Sequence, residues 1–288
     1  MTIFNLGSIN ADVFYTLPRL VGPGETLAAN SIYEGLGGKG ANMSVSAAQA
    51  GADVRHIGAV GIDGGWAIDR LAGYGVETQH IQLSQEKTGH AIIMVDGAGE
   101  NAIVLYPGAN QTITERSISA ALDTGSEGSV LLLQNETNAQ VFAAKEAKGR
   151  GMTVAYAAAP FDAEAVEAVL PYLDFLILNE VEAGQLEKAI ELKPQQLPVS
   201  DVIVTLGAKG CRWYANSAET ETEFSAIPVD PIDTTGAGDT FTGYVLAALD
   251  SGAEMPDAIS LATTAAAIMV TRKGTADVIP TIDEVLAF

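Results

Sequence analysis

Residues 129–190 read SVLLLQNETNAQVFAAKEAKGRGMTVAYAAAPFDAEAVEAVLPYLDFLILNEVEAGQLEKAI. Three apolar runs, SVLLLQ, MTVAYA and LDFLILN, are each followed by a helix-like stretch: NAQVFAAKEAKGR, AEAVEAVL and EVEAGQLEKA. Strands that are apolar throughout and alternate with helices of about ten residues indicate βαβ units and a parallel sheet covered by helices. The grammar extends outward in both directions. IFNLGS at 3–8 is an apolar run closed by Gly-Ser, and VRHIGAV is followed by DGGWAIDRLAGYG. GGKGANMSVSAAQAGA reads as a helix with Ala41, Val45, Ala48 and Ala52 on one face. Beyond residue 200, strands are expected at 201–206, 210–215 and 220–226, then helices at about 237–250 and 256–271.

Two regions break the pattern. Residues 12–17 and 27–36 alternate in polarity and are separated by VGPGE, while HAIIMVDGAGENAIVLYPG (90–108) has the grammar of a hairpin. These four strand-like runs predict a small separate sheet, formed by about 12–36 and 90–106, lying as a lid over one end of the main sheet.

The chain has 288 residues, 48% of them hydrophobic, which suits one large α/β domain with a small appendage. Its formal net charge of −21, from 36 acidic against 15 basic residues, argues against nucleic acid and anionic membrane as partners. Any phosphate site must then be a local exception built from backbone N–H groups, a few cations and Mg²⁺. Cys211 is the only cysteine, so neither a disulfide framework nor a cysteine zinc site is expected. MTIFNLGSIN reads directly as a first core strand, and AAAIMV at 265–270 is far short of the ~20 residues that span a bilayer. A cytoplasmic enzyme is expected. His56, His80 and His90 are scattered without ligand spacing, and Trp66 and Trp213 read as packing residues.

Three motifs can carry chemistry. DTTGAGDTFTGYVLAAL starts at Asp233; Gly236, Ala237 and Gly238 lead into a helix whose apolar face carries Phe241, Val245, Ala248 and Leu249. A glycine-rich helix entry leaves N–H groups free for an anion, and Asp239 sits in that first turn. Two readings stand: a carboxylate complementing the helix dipole, or a proton acceptor beside a bound phosphate. A helix N-terminus gives an anion ~0.3–2 kcal/mol, whereas enzymes lower barriers by ~8 kcal/mol or more, so catalysis there needs metal, positioning and a base as well. GLGGKGAN (35–42) matches G-x-G-x-x-G at Gly35, Gly37 and Gly40, which admits a dinucleotide fingerprint and an NAD-dependent oxidoreductase. Its context opposes this: residues 3–8 already form the first strand, and the acidic residue expected about twenty positions later is not evident. No G-x-x-x-x-G-K-[ST] occurs. Lys39 and Asn42 are left at a helix start, able to bond hydroxyls or a phosphate. In GSINAD (7–12), Asn10 and Asp12 follow the first strand, either as turn residues or as ligands at a sheet's C-terminal edge.

GSINAD, GGKGAN, NEVE, TLGAKG and DTTGAGDTFTG, in this order and spacing, resemble the ribokinase branch of the ribokinase/phosphofructokinase-B carbohydrate kinases; PGETLAA, DGAGENAIVLYPGAN and AAAIMVTRKG add to the likeness, which covers essentially the whole chain. The resemblance implies a three-layer α/β/α sandwich with a mainly parallel central sheet and a β lid. It implies an ATP-dependent sugar kinase, with D-ribose phosphorylated at O5 as the foremost expectation. Another pentose, a nucleoside, or a ketohexose or its phosphate are the alternatives within the class, and a non-catalytic sugar-binding protein is one outside it. It implies that Asn10, Asp12, Gly38, Lys39, Asn42 and Glu136 hold the sugar. Asp239 would deprotonate the attacking alcohol, with Gly236, Ala237 and Gly238 forming an anion hole. Asn179 and Glu182 would organise Mg²⁺ and phosphates through water, while Thr205, Gly207, Gly210, Gly238 and Thr263 would border ATP. Asp233, Thr235, Met269, Arg272 and Gly274, largely through backbone, would bind a K⁺-like cation. A homodimer paired through the lid is implied too. The chain departs from the family pattern at Ala157-Ala158, where an Asn-Pro pair is common, and at Val278, where a serine often aids the cation. The stretch from Asn179 to Thr205 is also shorter than usual.

Overall fold

The computed structural model describes residues 2–288. Its strands are β1 (Thr2–Leu6), β2 (Asn10–Thr16), β3 (Ser31–Gly37), β4 (Asp53–Gly61), β5 (Ile81–Ser84), β6 (Gly89–Val95), β7 (Asn101–Tyr106), β8 (Val130–Gln134), β9 (Thr153–Ala157), β10 (Phe175–Asn179), β11 (Asp201–Thr205), β12 (Cys211–Ala215) and β13 (Thr220–Phe224). Its helices are α1 (Lys39–Gln49), α2 (Gly65–Gly73), α3 (Glu115–Leu122), α4 (Gln140–Gly149), α5 (Ala163–Val169), α6 (Glu180–Ile190), α7 (Ala237–Asp250), α8 (Met255–Val270) and α9 (Ile282–Ala287).

Among the described residues, nine strands form the central sheet in the order β13-β12-β11-β10-β9-β8-β1-β4-β5. Pairing is parallel from β11 through to β5, and antiparallel only at β11–β12 and β12–β13. Strand alternation divides the core into two layers. Ile3, Val54, Leu132, Phe175 and Ile203 face α1, α2, α7 and α8. Phe4, Leu6, Leu131, Leu133, Leu176 and Val202 face α3 to α6. Three-layer α/β/α packing follows directly, because each face of an all-apolar strand needs its own cover of helices. The same logic fixes the helix starts. Thr114 and Asp162 cap α3 and α5 through side-chain oxygens, and Asn179 and Glu182 form a reciprocal capping box on α6.

The second sheet has the order β3-β2-β6-β7, antiparallel at its outer pairs and parallel between β2 and β6. Asn10 and Asp12 therefore lie within β2, not in a turn after β1. The turn 7–9 carries the chain from the central sheet directly into the second one. The second sheet is tied at β3 to the turn after α8, where the Thr275 hydroxyl donates to the Leu36 carbonyl at 2.9 Å and the Tyr33 hydroxyl to Asp277 at 3.1 Å. No helix among the described residues is long and apolar enough to cross a membrane.

Candidate active site

In the central sheet the chain runs outward from β1 to β4 on one side and to β8 on the other, so its direction of winding switches at β1. Ligand sites in open α/β sheets form outside the carboxyl ends of strands at such a switch. Here that edge gathers the turn 7–9 after β1, Glu136 after β8, Ala158 after β9, and Asn179 and Thr205 at the ends of β10 and β11.

The two glycine-rich helix starts converge on this edge, but they are not equivalent. At α1, Gly38 takes φ 92° and Gly40 packs directly on the β1 turn: a Cβ at Gly40 would lie 2.3 Å from the Gly7 Cα. The first N–H groups of α1 are already used by protein oxygens. Lys39 N–H donates to Glu136 Oε2 at 3.0 Å, Gly40 N–H to Ser8 Oγ at 3.2 Å, and Ala41 N–H to the Ser8 carbonyl at 2.8 Å. The Ser8 hydroxyl in turn donates to Glu136. A pyrophosphate would find no free donors there, and the GLGGKG match is thereby explained as close packing rather than as a dinucleotide site. At α7 the situation is reversed. Gly236 adopts φ 79°, and no side chain caps the first turn. This helix start is open to an anion.

Asp239 lies in that open turn with 7% of its surface exposed, and it accepts a hydrogen bond of 2.8 Å from Asn42 Nδ2. Asn42 spends its nitrogen on this bond and leaves Oδ1 buried without a donor. Asp12 is 8% exposed, and its carboxylate takes no hydrogen bond from any described residue. It lies over Gly37, where a Cβ would sit 2.0 Å from Asp12 Oδ2. Burial first, then the negative charges of Glu136 and Asp239, push the Asp12 carboxyl up to about 7. Lys39 is held above its ordinary value chiefly by Asp239, with Glu136 and Glu182 adding to the effect and burial opposing it. Burial dominates at Glu182 as well and raises its carboxyl; the bond from Asn179 N–H and the Lys39 charge pull the other way.

A cleft of about 300 Å³ joins Lys39, Asn179, Glu182, Thr205, Gly236, Gly238 and Asp239, with Thr234 and the backbone of Ala157 to Ala159 along its wall. Asn42 and Glu136 reach this cleft through Asp239 and the Lys39 N–H, and Asp12 lies close enough to Glu136 and Asp239 to feel their charges. Gly207 and Gly210 sit further along the turn between β11 and β12, both at positive φ; a Cβ at Gly210 would meet the Phe224 carbonyl at 1.9 Å. Thr263 lies on α8, bonds the Ile259 carbonyl and does not line the cleft. A larger cavity of about 430 Å³ between α6 and the β11–β13 edge is bordered by Lys209, Arg212, Glu187 and Glu223 and holds none of the predicted site residues.

Asp233 draws the loop before α7 to the loop after α8. Its Oδ1 accepts from Thr235 N–H at 2.9 Å and its Oδ2 from Gly274 N–H at 3.3 Å, while Ile232 and Asp233 N–H groups donate to the Val270 carbonyl. Met269 closes the far side of Gly236: a Cβ at Gly236 would lie 2.8 Å from Met269 Cε. Arg272 turns away toward Glu284 and the Val278 carbonyl. Among the described residues no group of three or more His, Cys, Asp or Glu side chains is placed to hold a metal by itself.

Sequence reasoning singled out neither Ser8 nor Asn110. Ser8 stands inside GSINAD and ties the β1 turn to Glu136; Asn110 stands inside PGAN and is wholly buried against Asn10. The histidines are structural where they are buried. His56 donates from Nε2 to the Gly7 carbonyl at 3.0 Å and therefore accepts from Ser44 through Nδ1; burial lowers it to about 4.

Known proteins give this geometry its family. The model of the pfkB family carbohydrate kinases matches residues 2–282. Ribokinase of Haemophilus influenzae is 37% identical over 303 aligned positions, covering 100% of this chain and 98% of its own. Ribokinase of Thermotoga maritima superimposes with a TM-score of 0.89 at 31% identity, covering 100% of this chain and 98% of that one. An Arabidopsis thaliana ribokinase complexed with ribose and ATP superimposes with a TM-score of 0.87 at 29% identity, covering 99% and 97% of the two chains. The chain therefore belongs to the pfkB family of carbohydrate kinases, as a ribokinase-like enzyme of that family.

Proposed function

We propose that this protein phosphorylates D-ribose at O5 at the expense of ATP, with Asp239 as the catalytic base. The observation that carries the reading is Asp239 itself, buried in the one open helix start at the cleft and fixed by Asn42. Asn10, Asp12, Asn42 and Glu136 hold the sugar hydroxyls under the second sheet, which serves as the lid, so that the reacting alcohol meets Asp239. Asp239 accepts the hydroxyl proton as the alcohol oxygen forms its bond to the γ-phosphorus, and the bond from that phosphorus to the β–γ bridging oxygen breaks, releasing ADP. Gly236 and Gly238 present N–H groups to the charge on the transferring phosphoryl group, with Ala237 between them donating to the Thr234 carbonyl, and Lys39 adds a cation whose charged form Asp239 favours. Excluding water beneath the lid keeps the phosphoryl group from hydrolysis.

Mg²⁺ supplies charge neutralisation of the triphosphate when bound. Glu182 and Asn179 fit such an ion only through water, because the capping box already occupies Glu182 Oε2 and Asn179 Oδ1 and no acidic cluster surrounds them. Asp233 fits a monovalent cation: it forms no ion pair with any described residue and lies where two loops bring their backbones together. Thr235, Gly274, Met269 and Arg272 would complete that site through backbone. A cation held there would fix the loop that carries Gly236 to Gly238, so turnover in K⁺ should exceed that in Na⁺ at constant ionic strength; equal rates would contradict a cation site at Asp233. Residues 1–288 act as one kinase domain with its lid, in the cytoplasm. ADP release screened across pentoses, ketohexoses and nucleosides tests the substrate, with phosphorus NMR locating the phosphate. Fastest release with ribose and a product carrying phosphate on O5 is expected; a clear preference for a nucleoside or a ketohexose would overturn the ribose assignment.

A further inference from the structure

Asn110 stands in the turn that follows β7, 1% exposed, a hundred residues from Asn10 in sequence and in contact with it in space. Its Oδ1 accepts from the Ile9 N–H at 2.9 Å, while its Nδ2 donates to the Ile9 carbonyl at 3.3 Å and to Asn10 Oδ1 at 2.8 Å. The Ile9 peptide decides which end of the Asn110 amide is which, since an N–H meets only an oxygen and a carbonyl only a nitrogen. That decision passes to Asn10. Facing the Asn110 nitrogen, Asn10 must present its oxygen, and its own nitrogen is the side-chain atom left over. No described residue accepts from that nitrogen. The pair is sealed by Gly89, where a Cβ would lie 2.2 Å from Asn110 Nδ2 and 2.5 Å from Asn10 Oδ1.

Asp12 stands two residues along β2, so its side chain leaves the same face of the strand as Asn10. It offers oxygens with no donor from the chain. A donor and an acceptor side by side match hydroxyls that accept from one and donate to the other. We propose that Asn110 is a positioning residue for substrate recognition: by locking Asn10 as a donor, it sets the polarity of the sugar subsite. This rests on the reading of Asn10 and Asp12 as sugar ligands.

The test is a double-mutant cycle read in KM. Asn110→Asp keeps the acceptor for the Ile9 N–H but cannot donate to Asn10, so the Asn10 amide turns over and points its oxygen at the sugar. The KM for ribose should rise at least ~tenfold, the usual effect of an unpaired buried polar group, while the KM for ATP stays unchanged. In an Asn10→Ala background, Asn110→Asp should cause no further rise, because the two changes act through one contact. A rise of the same factor in both backgrounds, or none in either, would overturn the proposal. Where Asn110→Asp lowers the melting temperature, Asn10→Asp decides instead. It retains the acceptor for Asn110 but puts an oxygen in place of the nitrogen, and the KM for ribose should again rise about tenfold; an unchanged KM would contradict the donor assignment. Wild-type turnover of ribose, measured alongside, separates the two layers. Its absence would sink the ribose reading and the proposal with it, whereas normal wild-type turnover with additive mutant effects would sink the role of Asn110 alone.

Discussion

At the scale of single residues, the site works against the stability of its own fold. Asp12 is a buried carboxylate without a hydrogen bond, and its carboxyl is pushed up to about 7 from an ordinary value of 3.8. The folded state therefore binds the proton more tightly than the unfolded chain between these values. Stability linked to Asp12 is fully present below about 4 and falls as pH rises through 7. Asp12→Asn should then raise unfolding free energy at pH 8 by roughly 1–4 kcal/mol and change it little near pH 4, in denaturant titrations at the two pH values. If Asp12 binds sugar as proposed, hydroxyls donating to its carboxylate would favour the charged form, and the wild-type KM for sugar should fall as pH rises through about 7. A mutant no more stable than wild type at pH 8 would show that the carboxylate is solvated after all. The types of residue at this site were legible in GSINAD, GGKGAN and DTTGAGD through their likeness to a family. Asn110 was not legible. Its role depends on the Ile9 peptide a hundred positions away, and no local pattern reports such a contact.

At the scale of elements, the parallel sheet was readable because its strands are apolar on both faces, as in VLLLQ and FLILN. Three elements escaped, the last of them the short terminal helix α9. β5 is only four residues long and half-exposed, and α3 announces itself only by its Thr114 cap and a short apolar stripe. The two glycine-rich helix starts look alike in sequence. They differ because Ser8 and Glu136 fill the donors of α1, and this is a tertiary fact. Gly40→Ala should be severely disruptive, since its Cβ would lie 2.3 Å from backbone atoms of Gly7 and Ser8 that cannot rotate away. A loss of at least ~1–3 kcal/mol is expected, together with loss of activity. Gly184→Ala, inside α6 with open space around it, should instead gain about 1 kcal/mol from helix propensity. Thermal unfolding of both variants checks the contrast, and equal shifts would mean that the α1 turn is not packed as described.

At the scale of the whole molecule, the second sheet leaves apolar surface uncovered. Ile103 and Val104 are each 58% exposed, and Ile32, Tyr33, Ile92 and Leu105 are exposed with them. A chain of net charge −21 resists random association, so a specific pairing of lids is the natural cover for such a surface. Ile32, Ile92 and Val104 share the face of this sheet turned away from Asp12. We expect a homodimer in sedimentation equilibrium and a monomer after Val104→Glu; a monomeric wild type at micromolar concentration would leave that face without its partner. Ala157 and Ala158, which depart from the family pattern, line the cleft beside Asn179, Glu182, Gly236 and Asp239. Everything proposed for the reaction turns on Asp239 removing the proton from the sugar alcohol. Its most direct test is the turnover number of Asp239→Asn with saturating ribose and ATP, beside its melting temperature. The expected result is a normally folded protein whose kcat falls by about 10²–10⁴, the usual worth of a positioned base. A variant that keeps the wild-type kcat would show that Asp239 only complements the helix dipole, and would contradict the mechanism.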